Sequence, residues 1–318
     1  MTLYFDCPET PEPIGGIKQI YRQVDVLVEH GIPARLVHHH EGFRCDWFPN
    51  QTPVTYLKDL RPEPDDIIVL PECRPEGERS LSEVFPELRR VVFNQNCYLT
   101  FKDADMRAGL DGYRSPYEDP KTVAIIAVSE DSRDVLEYMF PSIPVYRVKC
   151  GIDTNVFQYA EHKEPVISFI VRKNKVLREV LHGLRIRGSL KGYDVVPIHR
   201  APERTVAETM RKSRFFLTAL NYEGFGLPPA EAMASGCVVV GFDGRAGREY
   251  FSEQTGFPVD MGDLGGFLRT VESALHLAEV DMGRLDRLRR HAASFIASEY
   301  SLEQEAQSIV AAWRQILS

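Results

Sequence analysis

Short apolar runs alternate with amphipathic stretches along the whole chain. Residues 3–5, 34–38, 67–70, 90–93, 123–128 and 145–148 have the length and the β-branched or aromatic content of buried strands. Between the first two, Ile17, Ile20, Tyr21, Val24, Leu27 and Val28 recur at i, i+3, i+4, which predicts a helix with one buried face, stopped by Gly31. Ser129 predicts the N-cap of a helix over 130–140. The rhythm then repeats: strand 166–171, helix from Val176 through 184, strand 193–196, helix 205–213, strand 215–218. Helical patterns cover 262–280 and 283–298. Ser301-x-x-Gln304 is a capping box before a last helix with Leu302, Ala306, Ile309, Val310, Trp313, Ile316 and Leu317 on one face. Strands alternating with helices predict an α/β chain with parallel sheets, and there are no internal repeats.

In such sheets ligands lie beyond the carboxyl ends of the strands. The residues expected there are Gly15-Gly16, Pro71-Glu72, Asn94-Gln95-Asn96 and Ser129-Glu130. Gly-Gly before a helix also fits a plain turn. His38-His39-His40 cannot share one face of a strand or helix, so an exposed polar strand end is expected there rather than a metal site.

The most informative stretch is Asn221-Tyr-Glu-Gly-Phe-Gly-Leu-Pro-Pro-Ala-Glu-Ala-Met-Ala-Ser-Gly-Cys-Val-Val-Val-Gly241. Gly224 and Gly226 permit a tight or left-handed backbone. A helix is expected to start near Pro229 and stop at Gly236, followed by a buried strand 237–240. Glu223 then sits in the loop before the helix and Glu231 in its first turn. The N–H groups of Phe225, Gly226 and Leu227 lie just ahead of the helix, where unpaired donors and a positive dipole end suit a phosphate. Carboxylates beside an anion site need another partner, and sugar hydroxyls supply one. The ligand implied carries both phosphate and hydroxyls; a surface loop with a helix-capping acid is the plain alternative.

Composition narrows the field. The 318 residues suffice for two domains of about 150. No apolar run approaches the roughly 20 residues that span a bilayer, and no signal peptide is expected. The six scattered cysteines, without a C-x-x-C pair, read as buried thiols of a reducing cytoplasm rather than a disulfide or zinc framework. The net charge is −8, with −9 through Asp153 and +1 in the remainder. An acidic chain is a poor nucleic-acid binder, and the front half lacks a basic patch for anionic lipid. The back half suits a nucleotide diphosphate.

Glu223-Gly-Phe-Gly-Leu-Pro…Glu231-Ala-Met-Ala resembles the E-x7-E signature of retaining glycosyltransferases of the GT-B fold, family 4, and the flanking Ser-Gly-Cys-Val-Val-Val matches as well. The resemblance implies that Glu223 contacts the donor sugar, that Glu231 binds the ribose, and that Gly224, Phe225, Gly226 and Leu227 meet phosphate and sugar. Cys150-Gly-Ile-Asp-Thr-Asn-Val-Phe157 is similar to the family's N-G-V-D-x-x-x-F junction, with Cys in place of Asn. Arg172 and Lys175, with Lys173 as an alternative, match the cations that grip the diphosphate; Val171 stands where the family has Gly. Such cations stabilise the charge that develops on the departing diphosphate. Gly15 and Gly16 match a Gly-Gly opposite the diphosphate, and His199 lies in the loop that holds the base. No cleft His is found at the front strand ends; Asn94, Gln95 and Asn96 stand there instead.

The expected fold is GT-B: two Rossmann-like domains facing each other across a cleft, residues 1–155 with a returning helix at about 300–318, and residues 156–299. The expected function is retaining transfer of a sugar from a nucleotide diphosphate sugar to a glycan, lipid-linked or small-molecule acceptor, with Glu223, Arg172 and Lys175 catalytic. His40, Arg44, Trp47, Asn94 and Asn96 are candidates for the acceptor. No nucleic-acid partner is expected, and at most peripheral contact with the inner face of a membrane. An epimerase or phosphorylase on the same fold, or a non-catalytic sugar-nucleotide sensor, is the alternative. No divalent metal is expected, since cations can do its electrostatic work. Asp103-Ala-Asp105, the one Asp-x-Asp, reads as a solvated turn.

Overall fold

The computed structural model describes residues 1–10, 12–73, 79–101, 115–171 and 175–318. Of the expected clamp cations Arg172 lies outside the described residues, as do the alternative Lys173 and Asp103 and Asp105. The chain forms two compact units, Met1–Lys149 with Glu305–Ser318, and Cys150–Gln304.

The first unit is built on β1 (Leu3–Asp6), β2 (Ala34–His38), β3 (Val54–Tyr56), β4 (Ile67–Pro71), β5 (Arg89–Asn94), β6 (Thr122–Ala127) and β7 (Val145–Arg147). They form one sheet in the order β3-β2-β1-β4-β5-β6-β7. All its pairings are parallel. The order reverses between β1 and β4, a topological switch point. The helix Gly15–Glu29 follows β1 and buries Ile17, Ile20, Tyr21, Val24 and Leu27 of the stripe its spacing predicts, while Val28, expected on the same face, is exposed. Ser129 caps Glu130–Met139 by accepting the N–H of Ser132 at 3.1 Å.

The end of the C-terminal helix Leu302–Ile316 belongs to this unit. Trp313 is fully buried 5.8 Å from Phe5, and its Nε1 donates to Gln23 Oε1 at 3.2 Å. Glu305 is also fully buried, and Arg22 Nε meets it at 2.8 Å. A carboxylate out of water requires such a partner.

The second unit has β8 (Glu164–Ile170), β9 (Asp194–Ile198), β10 (Ser213–Glu223), β11 (Val238–Arg245) and β12 (Phe257–Val259), in the order β12-β11-β10-β8-β9. Its pairings are parallel too. The switch point lies between β8 and β10. Ile167, Phe169, Phe215, Leu217, Val238 and Val240 build one core with the helices Val176–Ile186 and Leu264–Val280.

Three boundaries in and around the informative stretch differ from the sequence reading. β10 continues through Asn221, Tyr222 and Glu223, so Glu223 ends a strand instead of lying in a loop. Polar residues mask this extension in the apolar pattern; pairing with β11 sustains it. The helix spans Leu227–Ala234, so Glu231 falls in its second turn. Left-handed Gly226, φ 85°, starts it two residues early. Pro228 and Pro229 lie in the first turn, where no intrahelical N–H bond is needed. The Gly-rich segment from Phe242 first extends β11 to Arg245. Strands β3 and β12 and the short helix Leu81–Val84 carry too few residues to register as periodic patterns.

Candidate functional site

β10 pairs with β8 in the register Phe216↔Ser168, which puts Ile170, the last residue of β8, level with Thr218. β10 runs on to Glu223. The step leaves a small crevice at the switch point, lined chiefly by apolar side chains, among them Ile170, Leu177, Phe216, Leu220 and Pro228, with Thr218. Leu177 opens the helix after β8, and Pro228 the helix after β10. Two helix N-termini thus border one crevice. Their positive dipole ends favour an anion there. Thr218 is 3% exposed, and its Oγ1 has no hydrogen-bond partner among the described residues.

The tip of the Leu227–Ala234 helix is only partly open, with Phe225 and Gly226 buried and Leu227 half-buried. Gly226, its N-cap, contributes no side chain, and no hydrogen bond from the N–H groups of Phe225, Gly226 or Leu227 occurs among the described residues. Tyr250 holds this tip from below. Its hydroxyl lies 2.5 Å from the Gly226 carbonyl oxygen and 3.2 Å from that of Phe225. Burial pushes the Tyr250 phenol well above its ordinary value, and the carboxylates of Glu249, Glu223 and Asp243 push the same way. Tyr250 therefore stays a neutral donor. A Cβ at Gly226 would come within 2.7 Å of Leu220 Cδ1 and 3.1 Å of the Tyr250 hydroxyl. At its far end the helix closes with Gly236 N–H on the Met233 carbonyl and Cys237 N–H on that of Ala232, the paired bonds of a left-handed C-terminal cap.

β11 completes the edge. Glu223 pairs in register with Arg245 after a shift at Leu220. Asp243 accepts the Arg245 N–H at 2.8 Å and the Arg248 Nε at 2.9 Å, which ties the turn together. Gly241 makes the close approach of the two strands possible: a Cβ there would lie 1.9 Å from the Thr218 carbonyl oxygen. Tyr250 and Asp243 escaped the sequence reading. They stand beyond the motif, and only the fold brings them under it.

The remaining candidates of this unit lie on neighbouring elements and do not line the crevice. Lys175 is exposed at the N-cap of Val176–Ile186. Half-buried Glu231 lies on the helix whose tip flanks the crevice. His199 is exposed immediately after β9, the neighbour of β8.

In the first unit most candidates bind their own chain. Gly15 and Gly16 open the helix after β1, and the amide of Gln95 fills the space 3.3 Å from where a Cβ of Gly16 would be. Asn94 is fully buried, and its Nδ2 donates to Thr100 Oγ1 at 2.9 Å and Tyr117 Oη at 2.8 Å; it braces the loop after β5 instead of facing solvent. Asn96 caps the turn at Cys97–Leu99 through the Tyr98 N–H. Arg44 donates to Asn50 Oδ1 at 2.6 Å and the Thr52 carbonyl at 2.9 Å. Trp47 packs edge-on against Phe48 at 4.6 Å. His40 is exposed and bound to Glu9. His38 corrects the expectation of an exposed strand end. It is fully buried, 2.8 Å from the Tyr21 hydroxyl. β2 is buried through Leu36, Val37 and His38, and the chain leaves the strand after His38, so His40 lies outside.

Among the described residues no cluster of three His, Cys, Asp or Glu could hold a metal ion, and no helix is long and apolar enough to cross a membrane.

Residues 170–276, within the second unit, match the family described as glycosyl transferases group 1. Over 115 residues the chain is 30% identical to the lipopolysaccharide core biosynthesis mannosyltransferase LpsB of Rhizobium meliloti (strain 1021). That match covers 35% of this chain and 32% of the relative, about a third of its length. Among solved structures, a glycosyltransferase from Rickettsia africae superposes with a TM-score of 0.69 at 13% identity, over 100% of this chain and 98% of that one. Anabaena HepE, solved with UDP-glucose, gives 0.68 at 11% identity, over 99% and 100%. The fold is that of the GT-B glycosyltransferases.

Proposed function

We propose that this chain is a retaining glycosyltransferase that moves a sugar from a nucleotide diphosphate sugar to an acceptor hydroxyl in glycoconjugate synthesis. The observation that carries the reading is the helix tip of Gly226 and Leu227, whose N–H groups have no hydrogen-bond partner among the described residues, beside the crevice at the β8–β10 switch point. It suits a diphosphate, and Glu223 at the end of β10 suits the hydroxyls of the sugar joined to it. The likeness to glycosyltransferases, one of them solved with a sugar nucleotide, supports the same reading.

In this reading Lys175 and Arg172 offset the charge that grows on the departing diphosphate. Glu231 binds the ribose, and the loop at His199 holds the base. The bond from the anomeric carbon to the diphosphate oxygen breaks as the acceptor oxygen attacks from the same face. The acceptor proton passes to that diphosphate oxygen. The first unit takes the acceptor. Catalysis needs no divalent ion, and the enzyme works in the cytoplasm.

A thermal-shift screen of nucleoside diphosphates and their sugars tests the donor, because a ligand that binds only the native state raises Tm. At least one such pair should raise it; silence across the set sinks the proposal. Transfer persisting in EDTA, with a product of the donor's anomeric configuration, is expected by NMR. Inversion, or loss of activity in EDTA restored by manganese, overturns the corresponding part.

A further inference from the structure

Among the described residues only three that are not glycine have positive φ: Arg200 at 44°, Tyr222 at 47° and Arg245 at 74°. All three lie at the carboxyl edge of the second sheet. Arg200 is two residues beyond β9, Tyr222 is the penultimate residue of β10, and Arg245 is the last of β11. Strain persists where the surroundings impose it, and it gathers at sites that use it.

Tyr222 is the aromatic one of the three. A bulky side chain with left-handed backbone is an outlier, whereas Gly, Asn or Asp would sit there with less strain. The register shift between Leu220 and Glu223 imposes the conformation. Its outcome is an aromatic ring 55% exposed, one residue from Glu223, at the end of a strand that is otherwise buried through Leu220. Burial of a side chain does not explain this residue, since the ring is mostly in solvent.

A pyranose ring has a rim of hydroxyls and a face of C–H groups. A carboxylate accepts from the rim, and an aromatic face covers the C–H groups. Glu223 and Tyr222 supply this pair at consecutive positions at the end of β10. We propose that Tyr222 is the platform on which the ring of the transferred sugar stacks. It is then a specificity-determining residue that touches substrate. The inference rests on the donor reading above and extends it from the diphosphate to the sugar.

The test is calorimetric titration of the full chain and of Tyr222→Phe and Tyr222→Asn with UDP, UDP-glucose, GDP and GDP-mannose. The expected result has three parts. Tyr222→Phe binds like the wild type. Tyr222→Asn keeps its affinity for the nucleoside diphosphate within about twofold and loses about tenfold for the matching sugar nucleotide. Its Tm equals or exceeds that of the wild type, because Asn tolerates the left-handed backbone. Tyr222→Asn binding the sugar nucleotide as tightly as the wild type overturns the inference while the donor reading stands. Equal weakening of both ligands together with a lower Tm also overturns it, because the ring then only supports the fold. A wild type that binds none of the four probes overturns both readings.

Discussion

At the carboxyl edge of the first sheet, polar groups meet one another. Asp6 accepts the Leu81 N–H at 3.1 Å, Glu9 accepts the His40 N–H at 2.9 Å, Glu72 accepts the Gln95 N–H at 3.3 Å, and Asn94 binds Thr100 and Tyr117. At the same edge of the second sheet, the helix tip at Gly226 keeps its donors, Thr218 is buried without a partner among the described residues, and Tyr222, Lys175 and His199 are exposed. The two sheets share parallel strands and a switch point. Each edge keeps a buried side-chain atom without a hydrogen-bond partner among the described residues, Asn94 Oδ1 in the first and Thr218 Oγ1 in the second. What separates them is that bonds between the loops after the strands occupy more of the polar groups of the first. Polar groups occupied in this way add stability, because a buried polar atom without a partner is costly. Those left unoccupied are groups a ligand can satisfy. Changes in the first edge should therefore cost stability, and changes in the second should cost binding and turnover.

The largest effect expected is at Glu223. Glu223→Gln should lower kcat/KM by about 10²–10³-fold with little change in Tm, read by donor turnover and calorimetry. An unchanged rate would place Glu223 among the structural acids and erase the contrast between the edges.

Gly226→Ala comes next and sharpens the comparison, since it strikes the scaffold of the open edge. The positive φ and the approach to Leu220 and Tyr250 should cost about 2–3 kcal/mol, together with nucleotide affinity. Urea unfolding measures the first quantity and calorimetry the second. A variant as stable as the wild type would show that the tip relaxes freely.

Asn94→Ala tests the closed edge. Removing its amide strips partners from Thr100 and Tyr117, at a cost of about 1–3 kcal/mol. Affinity for a nucleoside diphosphate should not change. A loss of affinity with full stability would reverse the assignment of this edge.

The smallest effect is a pH dependence centred on His38. Burial pushes its imidazole below the ordinary value of 6.5, against the pull of Glu9 and Asp6 and with Arg44 adding to the depression. The unfolded chain then takes up a proton in a range where the folded one does not. Stability is full above that value and falls as pH drops below it, by at most about 1.4 kcal/mol per pH unit. Hydrogen exchange along β2 at about pH 7.5 and pH 5.5 should show the decline, and His38→Gln should flatten it. A decline that survives the substitution would put the titration elsewhere.

Much of this was legible in the chain itself. The period of apolar residues in Gly15–Glu29 and in Leu302–Ile316 specifies their buried faces, because one helix face must leave water whatever packs on it. The spacing of Glu223, Gly226, Pro228 and Glu231 marks the helix tip, because the backbone demands of Gly and Pro are local. The tertiary structure decided the rest. Whether Asn94 faces solvent or Tyr117 depends on a loop closing 23 residues away in sequence, and no local pattern encodes that. Strand pairing, not hydrophobicity, carries β10 on to Glu223 and twists Tyr222 into a left-handed backbone. Tyr250 lies 24 residues after Gly226 and fastens the site from beneath through a contact that only folding creates. Sequence determines what each segment must bury and where it must turn. The fold decides which polar groups find partners within the chain, because that depends on distances between segments.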